Sequence, residues 1–364
     1  MLYRRLNSAT KVGFDIVIGN PPYVRKTQMD DKLKSTLEKK YFSAYKQYDI
    51  YLFFNELALI LLKKNGVYSF IQPNKFLSAE YGFNLINLLK NNAIIKTIWN
   101  VSLNKVFEAS VYPYVFIFQK KSFSTNFIND TINLLEFSEK LVGFNTSQDA
   151  KSLMAKIRMK SIQLKTIADK IKRGVANTKI EFNIQGKYSG IKSTILELSY
   201  FLPNTNTIFD YLSENEEKRK IEEFSKNMIL LPRTVQKIRA IYKSNNQHVL
   251  DRVYYFECAN EKFEDKFILA ILNSKVTTFY YDQIYGSTKI GGGYIDLKGS
   301  QIENLMIPNI ATMQQQPIIV LVNQILSTKS ANPIADISEL EKQIDRLVYN
   351  LYKLTDEEIA IIEK

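Results

Sequence analysis

Residues 14–19 carry Phe14, Ile16, Val17 and Ile18 with no helical period, which predicts a strand buried on both faces of a parallel sheet. The run halts at Asn20-Pro21-Pro22-Tyr23. Across residues 51–62 apolar side chains recur at helical spacing, and Lys63-Lys64-Asn65-Gly66 then reads as a basic last turn and a glycine stop. Residues 67–71 follow as a second strand closed by Pro73. Residues 81–89 form an amphipathic helix, and residues 94–99 and 111–118 are further strands rich in β-branched and aromatic positions. Helix and strand alternate as in the second half of a doubly wound α/β sheet.

Beyond this block the pattern loosens. Phe123-Ser124-Thr125-Asn126 and Asn145-Thr146-Ser147-Gln148-Asp149 are polar, and a domain boundary is expected in that interval. Residues 160–310 alternate short apolar runs with charged and glycine turns, as in an α+β domain of limited regularity. The chain closes on Ile337, Leu340, Ile344, Leu347, Val348, Leu351 and Leu354, one stripe of a helix. Thr355 with Glu358 forms a capping box for a final turn.

Composition narrows the chemistry. In 364 residues Cys258 is the only cysteine and His248 the only histidine, which removes disulfides, zinc clusters and His-rich metal sites. His248 ends the polar run Lys243-Ser244-Asn245-Asn246-Gln247 and reads as a solvent-exposed turn residue, not a catalytic base. The formal net charge is +12, and an acidic tail over residues 333–364 leaves +16 on residues 1–332. Such an excess suits a chain that sits on a phosphate backbone. Met1-Leu2-Tyr3-Arg4-Arg5 is not followed by an apolar signal core, and no apolar run is long enough to span a bilayer, so a cytoplasmic protein with no membrane partner is expected.

The candidate chemistry lies at Asn20-Pro21-Pro22-Tyr23, which leaves a strand at the edge of the sheet where open α/β folds bind ligands. The exocyclic amine of adenine is a poor nucleophile because its lone pair is delocalised into the ring. The Asn20 side-chain oxygen and the Pro21 carbonyl can both accept its hydrogens, and two prolines hold those acceptors in place beforehand. Tyr23 offers a ring on which an extruded base can stack. None of this calls for histidine, cysteine or metal.

With these residues the chain resembles the TaqI-type DNA adenine amino-methyltransferases of restriction-modification systems, including the type II enzymes that fuse restriction and methylation. Residues 14–23 resemble the family's fourth motif, and Tyr48-Asp49-Ile50-Tyr51-Leu52-Phe53-Phe54 the segment that opens the next helix. Gly66-Val67-Tyr68-Ser69-Phe70-Ile71-Gln72-Pro73 is similar to the sixth motif, and Val106-Phe107 before residues 111–118 to the eighth. The resemblance implies that Asn20, Pro21, Pro22 and Tyr23 are catalytic and that Tyr23 and Phe107 sandwich the flipped base. It further implies S-adenosylmethionine as methyl donor, with Asn20, Pro22 and Phe54 in contact with it.

Later segments resemble the TaqI-type target-recognition domain: residues 167–178 with Arg173-Gly174, Ile229-Leu230-Leu231-Pro232-Arg233-Thr234, residues 268–274 with Tyr280-Tyr281, and residues 295–308. Arg173, Arg233, Lys237, Arg239, Lys275 and Lys289 are the expected contacts to double-stranded DNA, arginine suiting guanine edges and lysine phosphate. Tyr285-Gly286-Ser287-Thr288-Lys289-Ile290-Gly291-Gly292-Gly293-Tyr294 lacks the ending of a phosphate-cradling loop and reads as a turn near DNA. The expected organisation is the C-terminal half of a Rossmann-like methyltransferase sheet over residues 1–140, an α+β target-recognition domain over 141–315, and a helical tail over 316–364.

Two family features find no match. Thirteen residues precede Phe14, too few for the glycine-rich turn that takes the donor, so a separate N-terminal methyltransferase half is the expected partner. Glu216-Glu217-Lys218 has the Glu-x-Lys spacing of a nuclease but no strand around it. The competing readings are a catalytically silent DNA-recognition module or specificity subunit, and a methyltransferase for RNA or a glutamine amide, which also uses Asn-Pro-Pro-Tyr; the long basic domain after the motif disfavours the latter.

Overall fold

A computed structural model describes residues 13–77, 79–101, 113–122, 148–192, 199–201, 207–286 and 294–364. The chain divides into two compact units, Met1–Ser147 with Gln283–Gly291, and Gln148–Asp282 with Gly292–Lys364.

The first unit is built on a four-stranded sheet of order β1-β2-β4-β3, comprising Phe14–Gly19, Leu62–Pro73, Pro113–Lys120 and Ala93–Asn100. β1 lies parallel to β2, whereas β4 runs antiparallel to both β2 and β3, so the sheet is mixed. Helices Asp31–Lys40, Tyr51–Leu61 and Phe83–Asn92 accompany it. The Asp30 carboxylate caps the first of these, accepting from the Leu33 amide at 2.7 Å. Inside, alternate residues of β2 and β4 stack: Tyr68 lies against Phe118 at 5.2 Å and Phe118 against Phe116 at 6.0 Å between ring centroids. Asn55 and Gln72, both buried, close a reciprocal amide pair: Asn55 Nδ2 donates to Gln72 Oε1 at 2.8 Å and Gln72 Nε2 returns to Asn55 Oδ1 at 3.1 Å. The Tyr68 hydroxyl donates to the same Asn55 oxygen, so this polar group is satisfied within an aromatic core.

Two expectations are corrected here. β1 is not buried on both faces: it is the last strand in the sheet order, and Phe14, Ile16 and Ile18 are exposed. Val17, between them, packs against the core. Lys63-Lys64-Asn65-Gly66 does not end the helix, which stops at Leu61; the four residues extend β2. Asn65 takes a left-handed φ of 63°, and a side chain at Gly66 would come within 2.9 Å of the Phe14 carbonyl oxygen, so glycine serves the close approach of β1.

The second unit holds a five-stranded sheet with Met228–Pro232 at its centre, every residue of it buried. Ile241–Lys243 and Val253–Phe256 flank it antiparallel. A four-stranded sheet, Ile180–Phe182, Tyr188–Ile191, Thr207–Tyr211 and His248–Val249, shares a core with it through Phe209, Leu230 and Tyr255. The expected closing stripe forms helix Ser338–Tyr352, and Thr355 caps Asp356–Glu363 with Glu358 as a capping box. These helices pack into the unit: Lys156 pairs with Glu358, and the Asp345 carboxylate accepts the Lys275 amide at 2.9 Å at the start of helix Lys275–Tyr285.

His248 is a further correction. It is buried among Tyr188, Phe209, Tyr211 and Phe224, and the Tyr211 hydroxyl lies 2.7 Å from its Nδ1. The polar run before it is partly inward-facing: buried Lys243 donates through Nζ to the carbonyls of Phe224 at 2.6 Å and Lys226 at 3.3 Å, at the C-terminal end of helix Glu214–Phe224. Polarity there marks a satisfied helix end, not a solvated turn.

Burial, aided by the charges of Lys243 and Lys220, pushes the His248 imidazole down from 6.5 to about 4. A depressed histidine binds its proton in the unfolded chain first, so its contribution to stability is present above pH 6.5 and is lost as pH falls towards 4. Asp345, raised by burial to about 6, has the opposite sense and loses its contribution as pH rises through 6. The two offset each other in wild type. Urea unfolding of wild type and His248→Gln is expected to show the wild-type advantage shrinking as pH falls from 6.5 to 4, by about 1.4 kcal/mol per pH unit at its steepest. A gap constant with pH would contradict this account.

Candidate functional site

β1 and β2 are parallel, with Gly19 opposite Phe70, so Asn20-Pro21-Pro22-Tyr23 leaves β1 at the end of the sheet where Ile71-Gln72-Pro73 closes β2, still paired with β4. Pro21 is buried and anchors the turn, while Asn20 and Pro22 are exposed and Tyr23 is half-buried. The Tyr23 hydroxyl donates to the Ile71 carbonyl at 3.1 Å. Burial pushes that phenol up to about 12, which keeps it a neutral donor. The ring stands edge-on to Tyr51, with centroids 6.3 Å apart and planes at 79°.

The chain after the motif is held as well. The Ile50 amide donates to the Val24 carbonyl and the Lys26 amide to the Tyr48 carbonyl, each at 2.9 Å, which forms a short antiparallel bridge of Arg25 with Asp49. The Asp49 carboxylate accepts from the Tyr81 hydroxyl at 3.2 Å, and the hydroxyls of Tyr81 and Tyr51 lie 3.3 Å apart. Burial raises the Asp49 carboxyl above its ordinary range, against the Tyr81 hydrogen bond and the charges of Lys75 and Arg25, which lower it. A chain of donors thus runs from Tyr51 through Tyr81 to Asp49 beside the ring that faces Tyr23. Phe54 sits one turn beyond Tyr51 on helix Tyr51–Leu61, half-buried and packed on the core. Asp49, Tyr51 and Tyr81 were not singled out by sequence. The signal was present in Tyr48-Asp49-Ile50-Tyr51, where a lone acid interrupts an apolar and aromatic run.

Phe107 and Lys289 lie outside the described residues. In the second unit three of the expected cations already hold carboxylates. Arg173 pairs with Asp251 at 2.8 Å, Arg233 donates through Nε to Asp296 at 2.7 Å, and Lys275 pairs with Glu363 at 2.9 Å. Lys237 is exposed and Arg239 half-exposed. Arg173 and Arg233 meet at one turn: the Arg233 amide donates to the Arg252 carbonyl at 2.8 Å, and the Gly174 amide to that of Val253 at 2.9 Å. Arg252, missed in the sequence reading, is exposed there with a left-handed φ of 67°. Lys298 pairs with Asp296 beside Arg233. Lys275 instead sits at the start of a helix, paired with the last helix of the chain. The arrangement can present guanidinium groups at one end of the five-stranded sheet, aligned in advance by Asp251 and Asp296.

Tyr81→Phe removes the hydroxyl that links Asp49 to Tyr51. It is expected to lower unfolding stability by about 1 kcal/mol, read by thermal denaturation, and an unchanged melting temperature would deny the donor chain a structural role.

Comparison with known proteins finds two family matches in the chain. The family model described as Eco57I restriction-modification methylase matches residues 4–107, and that described as TaqI-like C-terminal specificity domain matches residues 191–307. The type II restriction enzyme and methyltransferase RM.Eco57I of Escherichia coli is 31% identical over 121 residues, 32% of this chain and 12% of that protein. The type II methyltransferase M.BstVI of Geobacillus stearothermophilus is 27% identical over 145 residues, 39% of this chain and 25% of that one. The chain therefore spans only a minor part of the length of these relatives. Among solved structures, the type IIG restriction endonuclease BpuSI overlays with a TM-score of 0.37 and 16% identity, over 93% of this chain and 54% of that one. In the order methylase segment then specificity domain, residues 4–107 and 191–307 are similar to the Eco57I restriction-modification methylase and the TaqI-like C-terminal specificity domain, and the similar curated proteins are type II restriction-modification methyltransferases.

Proposed function

We propose that the chain forms the target-base side of a site-specific DNA adenine methyltransferase and reads its site with the second unit. The observation that carries this reading is the exposed Asn20 at the end of β1, next to a Tyr23 ring pinned by Ile71 and edged by Tyr51. Asn20 Oδ1 and the Pro21 carbonyl would accept the two hydrogens of an adenine amine and favour a pyramidal nitrogen with its lone pair free. Tyr23, held by its hydroxyl, would give the flipped base a fixed stacking plane, with Phe107 as the second face.

Exposed Asn20 and Pro22, with a half-buried aromatic at Phe54 on the neighbouring helix, suit one side of S-adenosylmethionine. The donor supplies an electrophilic methyl group when bound. The residues of this chain would orient the amine. We assign the rest of the donor site to a separate N-terminal methyltransferase half, and place the protein in the cytoplasm with its DNA. No helix among the described residues is long and apolar enough to cross a membrane.

For the second unit, Arg173 and Arg233 would meet bases or phosphates by exchanging carboxylate partners for DNA, with Arg252 beside them at the Asp251 turn and Lys237, Arg239, Lys275 and Lys289 on the backbone. Affinity for duplex DNA is expected to fall steeply with salt. Lys237→Ala should weaken binding evenly across sequences and reduce the salt slope by about 1; a Lys237→Ala slope equal to wild type would remove that contact.

Labelled methyl transfer to duplex DNA tests the chemistry. The chain is expected to be inactive alone and active once the donor-binding half is added, with Asn20→Ala about 100-fold slower or worse. Sequence-selective binding with no transfer in the assembled protein would favour the silent recognition module. Robust transfer by the isolated chain would sink the assignment of a separate half.

A further inference from the structure

In the second unit one turn holds a side chain against the preference of its backbone. Leu250-Asp251-Arg252 joins strand His248–Val249 to strand Val253–Phe256, and Arg252 takes a φ of 67°, which glycine or asparagine adopts readily and arginine does not. Neighbouring strands clamp the turn. The Leu250 amide donates to the Ile191 carbonyl at 3.0 Å, the Val175 amide to the Val249 carbonyl at 2.9 Å, and the Arg233 amide to the Arg252 carbonyl at 2.8 Å. Leu250 and Val253 are buried in the core, and a side chain at Gly174 would come within 2.0 Å of the Leu250 carbonyl oxygen. These surroundings hold the strained conformation in place, and with it the position from which exposed Arg252 leaves the surface.

The charges around the turn are matched, apart from Arg252. Asp251 accepts from Arg173 Nε at 2.9 Å and pairs with its Nη2 at 2.8 Å, and Asp296 holds both Arg233 and Lys298. Among the described residues no carboxylate is paired with Arg252.

We infer that Arg252 is a specificity-determining residue of the second unit, its guanidinium donating two parallel N–H groups to O6 and N7 of one guanine in the major groove. The inference rests on the DNA-recognition reading above, and Arg252 lies within residues 191–307, the part similar to TaqI-like specificity domains. Three observations select it. A phosphate contact needs positive charge and little directional precision, so it does not call for a strained turn, whereas a bidentate contact to a base edge depends on the angle of approach. The planar guanidinium fork matches the guanine edge, which an ammonium does not. Arg252 also reaches a base without breaking an ion pair, whereas Arg173 and Arg233 must first leave Asp251 and Asp296.

The probe is a pool of duplex DNA with a fully randomised central segment, from which the full chain selects binders that are then sequenced. Wild type is expected to enrich a motif that includes an invariant guanine. Arg252→Gly and Arg252→Asn should each bind the enriched duplex about tenfold more weakly, and in their own selections that one position should lose its preference while the others keep theirs. Arg252→Lys retains the charge and should also lose the preference. Because glycine relieves the turn, Arg252→Gly should melt about 3 °C higher than wild type, which also shows that the variant folds. An enriched motif left unchanged by Arg252→Gly would overturn the inference and leave the recognition reading standing. No enriched motif with wild type would overturn both. Weaker binding spread evenly over all sequences, with the salt slope lower by about 1, would overturn it in favour of a phosphate contact. A lower melting temperature for Arg252→Gly would overturn it too, by showing that the arginine is kept for a contact within the fold.

Discussion

The parallel pairing of β1 with β2 is the constraint on which the first unit depends. It brings Asn20-Pro21-Pro22-Tyr23 out of β1 beside the last residues of β2, and so allows the Tyr23 hydroxyl to reach the Ile71 carbonyl. Its closeness in turn depends on Gly66, where any side chain would press on the Phe14 carbonyl. β2 also supplies the inner face, and Gln72, two residues past Phe70, closes the amide pair with Asn55 on the helix that carries Tyr51. The candidate base site and the core are therefore fixed by the same strand.

The same pairing explains the sidedness of the sheet. A strand that alternates aromatic and smaller apolar residues presents two apolar faces, and helices account for one of them. Among the described residues the other face carries exposed apolar side chains at Ile16, Ile18 and Trp99, which are costly to leave in water, since apolar burial is worth about 25 cal/mol per Å². In the second unit the balance differs: charges that would be costly to bury alone are paired. Lys243 caps a helix end, Glu223 meets Lys220, Lys172 and Tyr255, and Asp296 holds both Arg233 and Lys298. Arginines oriented in this way by acids lose less freedom on meeting a partner than unrestrained side chains do.

Some of this was legible before folding. Period and turn chemistry located the helices near residues 51–62 and 81–89 and the strands near 94–99 and 111–118 to within a few residues, because those signals are local. The closing helix and its Thr355 cap were legible for the same reason. Apart from Lys63-Lys64-Asn65-Gly66, where a helix stop was read in what is the start of β2, the errors were matters of environment. A run such as Phe14 to Ile18 looks the same whether its second face is covered or open, and a histidine after five polar residues looks exposed although the turn folds inward onto a helix end. Asp49 and Arg252 carried no periodic signal, since their roles come from Tyr81 and from the turn that Arg233 and Gly174 share.

The sequence by itself determined the elements, the placement of Asn20-Pro21-Pro22-Tyr23 after a strand, and the limits set by one histidine and one cysteine, because these depend on side-chain chemistry and short-range geometry. Only the tertiary structure decided that β4 runs antiparallel, that Phe14, Ile16 and Ile18 of β1 are exposed, and which carboxylates hold the arginines. Those outcomes rest on contacts between residues tens of positions apart in the chain, where spacing along the sequence no longer constrains distance in space.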